Sequence, residues 1–214
     1  MASENKNSFS PNTSDFIVQF ALLLIGLALA FSADRFVNIL NNSALPPADK
    51  LVGGFHFVTL FIVLVVWLHA EIAYEAIETY NNRSSILSTV VEYWLEILNL
   101  VIPVFAALNV GNTANFGFSL VLIYMFDMIL ALFTLFRQGR EGIKHTVEFQ
   151  TCERWFIIDL LTAVTVLIFI YIPYLQSKTL LQSGLIFLTI LVSSVLDYTF
   201  NKTFYFGNTA SDQS

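Results

Sequence analysis

The sequence predicts an all-α integral membrane protein, a six-transmembrane-helix bundle. Three observations lead there. Of 214 residues, 56% are hydrophobic and only 12% are charged, against about 25% charged in soluble domains. Six apolar runs approach or reach the roughly 20 residues a spanning helix needs. The runs lack alternation and are about twice the length of a barrel strand, which argues against a β-barrel.

The elements follow in chain order. Residues 1–14 are polar and read as a disordered cytoplasmic tail. They do not read as a cleavable signal peptide, because no basic segment abuts the apolar run and no A-x-A site follows. Residues 15–206 are expected to form the transmembrane domain, with spans at about 16–33, 51–70, 93–110, 116–136, 155–175 and 179–198. The connections carry turn-forming residues: NNSALPPADK, YNNRSS, NVGNTAN, RQGREGIKH and QSK. Residues 207–214 read as a disordered cytoplasmic tail.

Basic residues set the expected orientation. With the N-terminus in the cytoplasm, inside segments hold Lys6, Arg83, Arg137, Arg140, Lys144, Arg154 and Lys202, and outside segments hold Arg35, Lys50 and Lys178. Seven against three places both termini in the cytoplasm by the positive-inside rule. The cell membrane is the expected location. Trp67, Trp94 and Trp155 fall where interfacial belt residues belong. A faint similarity links Glu92-Tyr-Trp94-Leu-Glu96 to Glu153-Arg-Trp155-Phe-Ile-Ile-Asp159 at an offset of 61 residues.

Each predicted span has an acid in it or at its end: Asp34, Glu71, Glu96, Asp127, Asp159 and Asp197. A charge at the centre of a spanning helix costs about 2.5–3.5 kcal/mol on insertion scales, so such residues face a bundle interior, a wet cavity or a partner. Asp127 lies deepest, near the midplane. It reads as an ion or proton site, or as an interhelical hydrogen-bond anchor.

Glu92, Glu96, Asn99 and Pro103 fall within roughly 60° of one another on the third span. Pro103 lacks an N–H and frees a carbonyl, so a carbonyl, an amide and a carboxylate share one line that suits a cation. The bland alternative is a proline kink satisfied by a neighbouring hydroxyl. Glu71, Glu75 and Glu78 form a second acidic stripe, of which Glu71 is nearest the hydrocarbon. Asp159 shares a face with Thr162. Asp197 extends a stripe of Ser193, Ser194 and Asn201. For both, a salt bridge to Arg154, Lys202 or the loop 137–154 is the competing expectation.

Other features carry less. His56 and His69 point about 220° apart on one helix, so haem is not expected, nor any other cofactor or metal. His69 is expected to snorkel to the interface and His56 to cap the outer end of its span. Gly26, Ala30 and Ala33 form a small-residue face suited to close helix contact. Phe31-Ser32-Ala33-Asp34 resembles the F-S-D signature of the six-helix lysosomal and bacterial potassium channels. An alanine is inserted, however, Leu27 stands where that family has Arg, and the motif closes its run; the chain is not assigned to that family.

Function classes narrow accordingly. A net charge of −6 argues against a nucleic-acid footprint. No hydrolase, P-loop or C-x-x-C motif is present, and no enzyme activity is expected. The leading expectation is a cation or proton channel or transporter using Asp127, Glu96, Asn99, Pro103, Glu71, Asp159 and Asp197. The alternative is a non-transporting sensor or partner subunit whose loop residues Arg137, Arg140, Lys144 and Arg154 dock a cytoplasmic protein. The lipid bilayer is the one partner common to both. A thin bundle of 24.1 kDa is compatible with a homo-oligomer.

Overall fold

The computed structural model describes residues 12–78, 86–140 and 146–207. These residues form helices α1 (Asn12–Asn41), α2 (Pro47–Glu78), α3 (Ile86–Leu108), α4 (Thr113–Arg140), α5 (Val147–Tyr171), α6 (Pro173–Gln176), α7 (Thr179–Phe200) and α8 (Lys202–Phe206), with no strand among them. The predicted all-α class therefore stands. Five helices contain stretches long and apolar enough to cross a bilayer: Gln19–Asn41, Pro47–Ala70, Thr113–Gly139, Phe149–Tyr171 and Thr179–Phe200. At 1.5 Å per residue the shortest, 22 residues, reaches about 33 Å, enough for a hydrocarbon core of about 30 Å. In α3 the apolar stretch among the described residues is Ile97–Leu108, so the expectation of six spans is met in five helices.

The six long helices close a ring in the order α1, α2, α7, α5, α4, α3 and back to α1, with α4 against α5 the most extensive pairing. α2 and α7 also touch α4 across the ring. Its middle is filled by Leu60, Leu64, Phe116, Leu120, Val166, Ile186 and Ile190, which are essentially inaccessible. Outward faces are apolar as well. Phe61, Phe105, Leu161, Ile168 and Val195 are exposed. A soluble monomer rarely shows apolar patches beyond a few hundred Å², whereas lipid solvates such a surface directly. The molecule has the build of a multipass integral membrane protein.

Local chemistry sets the ends of the helices. α1 does not stop at Asp34, as expected, but runs to Asn41. Asn38 donates to the Asp34 carboxylate at 3.1 Å, and Lys50 Nζ donates to the Leu40 carbonyl at 2.8 Å. A cation at a helix C-terminus satisfies an orphan carbonyl and the helix dipole. α2 opens on Pro47, whose missing N–H costs nothing in a first turn.

α3 ends in a turn that needs Gly111 at φ 95°, a left-handed conformation that favours glycine. A Cβ there would lie 2.7 Å from Ile39 Cδ1. Asn112 Oδ1 accepts from Asn115 N at 3.1 Å and starts α4. Thr146 caps α5 through Phe149 N at 3.2 Å. α5 stops at Tyr171, four residues short of the predicted run, because Pro173 forces Ile172 into an extended conformation.

On α1 the buried face is Ala21, Ile25, Ala28 and Ser32. The small-residue face proposed from the sequence is not the one that packs. Gly26 has nothing within 4 Å of a built Cβ, and Ala30 is exposed.

Candidate functional site

Two polar clusters interrupt the apolar bundle, one near each end. The proximal end is where α1 begins and α8 lies; the distal end holds the α1–α2 and α3–α4 turns.

The proximal cluster surrounds a cavity of about 140 Å³. α4 contributes Tyr124, Asp127 and Thr134; α5 contributes Cys152, Trp155 and Asp159; α7 contributes Ser193, Ser194 and Asp197; α2 contributes Trp67, and α8 contributes Tyr205. Helical spacing explains the α7 contribution. Ser183, Ile186, Ile190, Ser193, Asp197 and Asn201 recur every three or four residues and are all buried, so one stripe faces inward and turns polar at its proximal end. Among the described residues, no Lys or Arg lines the cavity.

Three aspartates thus meet at one cavity, close enough to act electrostatically on one another. Their hydrogen bonding differs. Asp197 accepts from Trp155 Nε1 and Asn201 Nδ2, each at 2.7 Å, on Oδ1, and from the Tyr205 hydroxyl at 2.5 Å on Oδ2. Asp127 accepts from Asn99 Nδ2. Asp159 is 8% exposed and has no hydrogen-bond partner among the described residues. The Tyr124 hydroxyl, also in the cavity wall, has none either. Thr162, one turn beyond Asp159, donates instead to the Ile158 carbonyl at 2.7 Å, and its Oγ1 pairs with Ser193 Oγ at 2.8 Å.

α8 closes the proximal side of this cluster. Phe204 and Tyr205 are buried, and the Phe204 ring packs edge-on to Trp155 with centroids 5.0 Å apart. His69 bonds Tyr198 through Nδ1 at 3.1 Å and packs on Tyr205. Burial and the Asp197 charge raise the pKa of Tyr205 well above the ordinary phenol range, so it remains a donor.

The distal cluster centres on His56, which is 1% exposed and stacks on Phe116 with ring centroids 4.3 Å apart. Gly111 N–H donates to His56 Nδ1 at 3.0 Å, which leaves the ring proton on Nε2 facing Ser183 Oγ at 3.0 Å. Ser183 in turn pairs with Thr113 Oγ1 at 3.0 Å. Beside it, Gln182 Nε2 donates to the Phe169 carbonyl at 2.8 Å.

The structure brings together Asp127, Asp159, Asp197 and Asn99 from the predicted set. Pro103 lies buried in α3, one turn past Asn99, but does not line the cavity. The side chains of Glu71, Glu96 and Arg140, and all of Lys144, lie outside the described residues. In the loop group, Arg137 is partly buried, and the exposed Arg154 donates to the Phe200 carbonyl. Neither Arg154 nor Lys202 pairs with Asp159 or Asp197. The carboxylates face inward, whereas Arg154 and Lys202 face outward.

His56 and His69 also depart from expectation, being held in a hydrogen-bond node and an aromatic cluster. Sequence reasoning missed Trp67, Trp155 and Tyr205 as site residues. The signal for Tyr205 was its place eight residues after Asp197 and four after Asn201, on the same helical face.

Fold and cavity together define a helical multipass membrane protein with an acidic chamber inside its apolar bundle. No protein-family model, curated protein or solved structure matches the chain.

Proposed function

We propose that the chain crosses the membrane six times, with α3 as the sixth span, and acts as a cation carrier or gated channel whose binding site is the acidic chamber. One observation carries this reading. Asp159 is a buried carboxylate facing a cavity, with no hydrogen-bond donor and no lysine or arginine beside it among the described residues. Burying such a group uncompensated is costly. A mobile proton or cation supplies the missing partner. α3 supports the sixth span because it fills the ring between α1 and α4 over 23 residues, about 34 Å. The seven-to-three bias of basic residues supports both termini in the cytoplasm.

The distal side of the chamber favours a gated path over an open pore. Leu60, Phe116, Leu120, Val166, Ile186 and Ile190 fill the ring with no accessible surface. A charge does not cross such a layer without its moving or wetting. Asp159 is the group we assign to cation binding, with Asp127 and Asp197 setting the field around it.

Reconstitution into proteoliposomes tests the proposal. Gradients of H⁺, Na⁺, K⁺ and small alkylammonium ions are imposed in turn. The wild type is expected to move at least one of them, and Asp159→Asn to abolish that flux while the protein still folds. A wild type that moves none of these cations overturns the transport reading in favour of a non-transporting partner subunit. Flux that survives Asp159→Asn unchanged removes Asp159 from the path.

A further inference from the structure

We infer that the chamber's ligand is a small organic cation, a protonated alkylamine or quaternary ammonium group, rather than a bare metal ion. The inference rests on the cation-site reading above and specifies its substrate class.

Size comes first. The chamber holds about 140 Å³. An apolar cavity of about 150 Å³ accommodates a benzene-sized guest, roughly six non-hydrogen atoms. That exceeds what a dehydrated Na⁺ or K⁺ fills and matches a short-chain ammonium ion.

Wall chemistry agrees. A metal ion of the hard type wants about six to eight converging oxygens. Among the described residues, no three His, Cys, Asp or Glu side chains come close enough to share a metal ion. The aspartates stand apart around the wall instead. Between them the wall is mainly aromatic and aliphatic, with Trp67, Tyr124, Trp155, Tyr205, Val66 and Ala131, although the Thr134, Ser193 and Ser194 hydroxyl residues also line it. Aromatic faces attract cations through the ring quadrupole, and such cages recognise quaternary ammonium groups. Aliphatic walls solvate an alkyl chain and offer nothing to a bare ion.

Charge count completes the match. Asp197 already accepts three hydrogen bonds and Asp127 accepts one from Asn99. Of the three, Asp159 is the one with no donor among the described residues. One open carboxylate suits one positive charge, with the Tyr124 hydroxyl free to accept an N–H from a protonated amine.

The test is equilibrium binding to the full-length wild type in detergent micelles, in buffer free of other amines. The readout is intrinsic fluorescence, to which Trp67 and Trp155 report from the chamber wall. Probes are n-butylammonium, tetramethylammonium, n-butanol, NaCl and KCl. Expected is saturable quenching by one or both ammonium ions, at least tenfold weaker affinity for n-butanol, and no competition by Na⁺ or K⁺ at matched ionic strength. Asp159→Asn is expected to weaken ammonium binding at least tenfold, and Trp67→Leu to weaken it several-fold while leaving n-butanol binding in place.

Three results overturn the inference. If n-butanol binds as tightly as n-butylammonium, charge plays no part. If Na⁺ or K⁺ binds in an Asp159-dependent way and neither ammonium ion does, the cation site survives but the organic ligand falls. If no cation binds and Asp159→Asn changes nothing, the cation-site reading itself falls with it. The wild-type ligand series decides the matter even if a variant fails to fold.

Discussion

The distal and proximal clusters are both buried, both polar and both built on α2, α4 and α7, yet they are finished differently. Around His56, both ring nitrogens, the Ser183 and Thr113 hydroxyls and the Gly111 N–H are all paired. Around the chamber, among the described residues, Asp197 is fully held, Asp127 has one donor, and Asp159 and Tyr124 have none. Buried polar groups normally find partners. A closed network fixes structure. A network left open at one carboxylate keeps a place for something not covalently part of the chain. The contrast separates a fastening from a site, although composition alone makes the two clusters look alike.

Substitutions at Asp159 give the sharpest test of that distinction. Asp159→Leu is expected to abolish cation flux and yet leave the thermal midpoint unchanged or raised. No hydrogen bond among the described residues is lost, and a costly buried charge is removed. A large loss of stability would put Asp159 among the fastenings and break the comparison.

His56→Phe makes the opposite trade. It keeps the stack on Phe116 but strands the Gly111 N–H and the Ser183 hydroxyl. Unsatisfied buried groups cost about 1–3 kcal/mol each, so unfolding in mixed micelles should occur at clearly lower denaturant. Flux per folded molecule should remain. Loss of flux at normal stability would make His56 part of the path.

A smaller effect is expected at the turn beside it. Gly111→Ala places a Cβ 2.7 Å from Ile39 Cδ1 at a positive φ, for a loss of about 1–2 kcal/mol measured the same way. A neutral result would mean that the α3–α4 turn has room to rearrange.

Tyr205→Phe is the mildest change. It removes one of three donors to Asp197, a loss of roughly 0.6–1.7 kcal/mol for a hydrogen bond inside a membrane protein. Trp155 emission should shift, because its indole donates to the same carboxylate. An unshifted spectrum would mean that Trp155 and Tyr205 hold Asp197 independently.

Much of this architecture was legible in the sequence, and the reason for each gap is physical. Helices showed because apolar runs of that length have few other homes. The acids showed because charge in such runs is expensive. Asp127, Asp159, Asp197 and the Thr162 and Asn201 faces followed from 3.6-residue periodicity. Neighbours did not follow. In water the apolar face of a helix marks its contact side. In lipid the outward face is equally apolar, so nothing in α1 distinguishes its packed Ala21–Ile25–Ala28 face from the exposed Gly26–Ala30 face. The same ambiguity hid the ring order, and with it the Asn99–Asp127 bond and the meeting of Trp155 with Asp197. His56 was misread because its partners lie 55 and 127 residues away along the chain.

The position of α8 has a practical consequence for anyone handling this protein. Tyr205 lies two residues before Gly207, which takes φ 68° with open space around it. A bulky fusion or affinity handle joined directly there is anchored within one helical turn of the hydroxyl that steadies Asp197. Such a handle levers on the chamber itself. Purification through the other terminus leaves the proximal closure as the sequence builds it, and comparing the two preparations reads out how firmly that closure is seated.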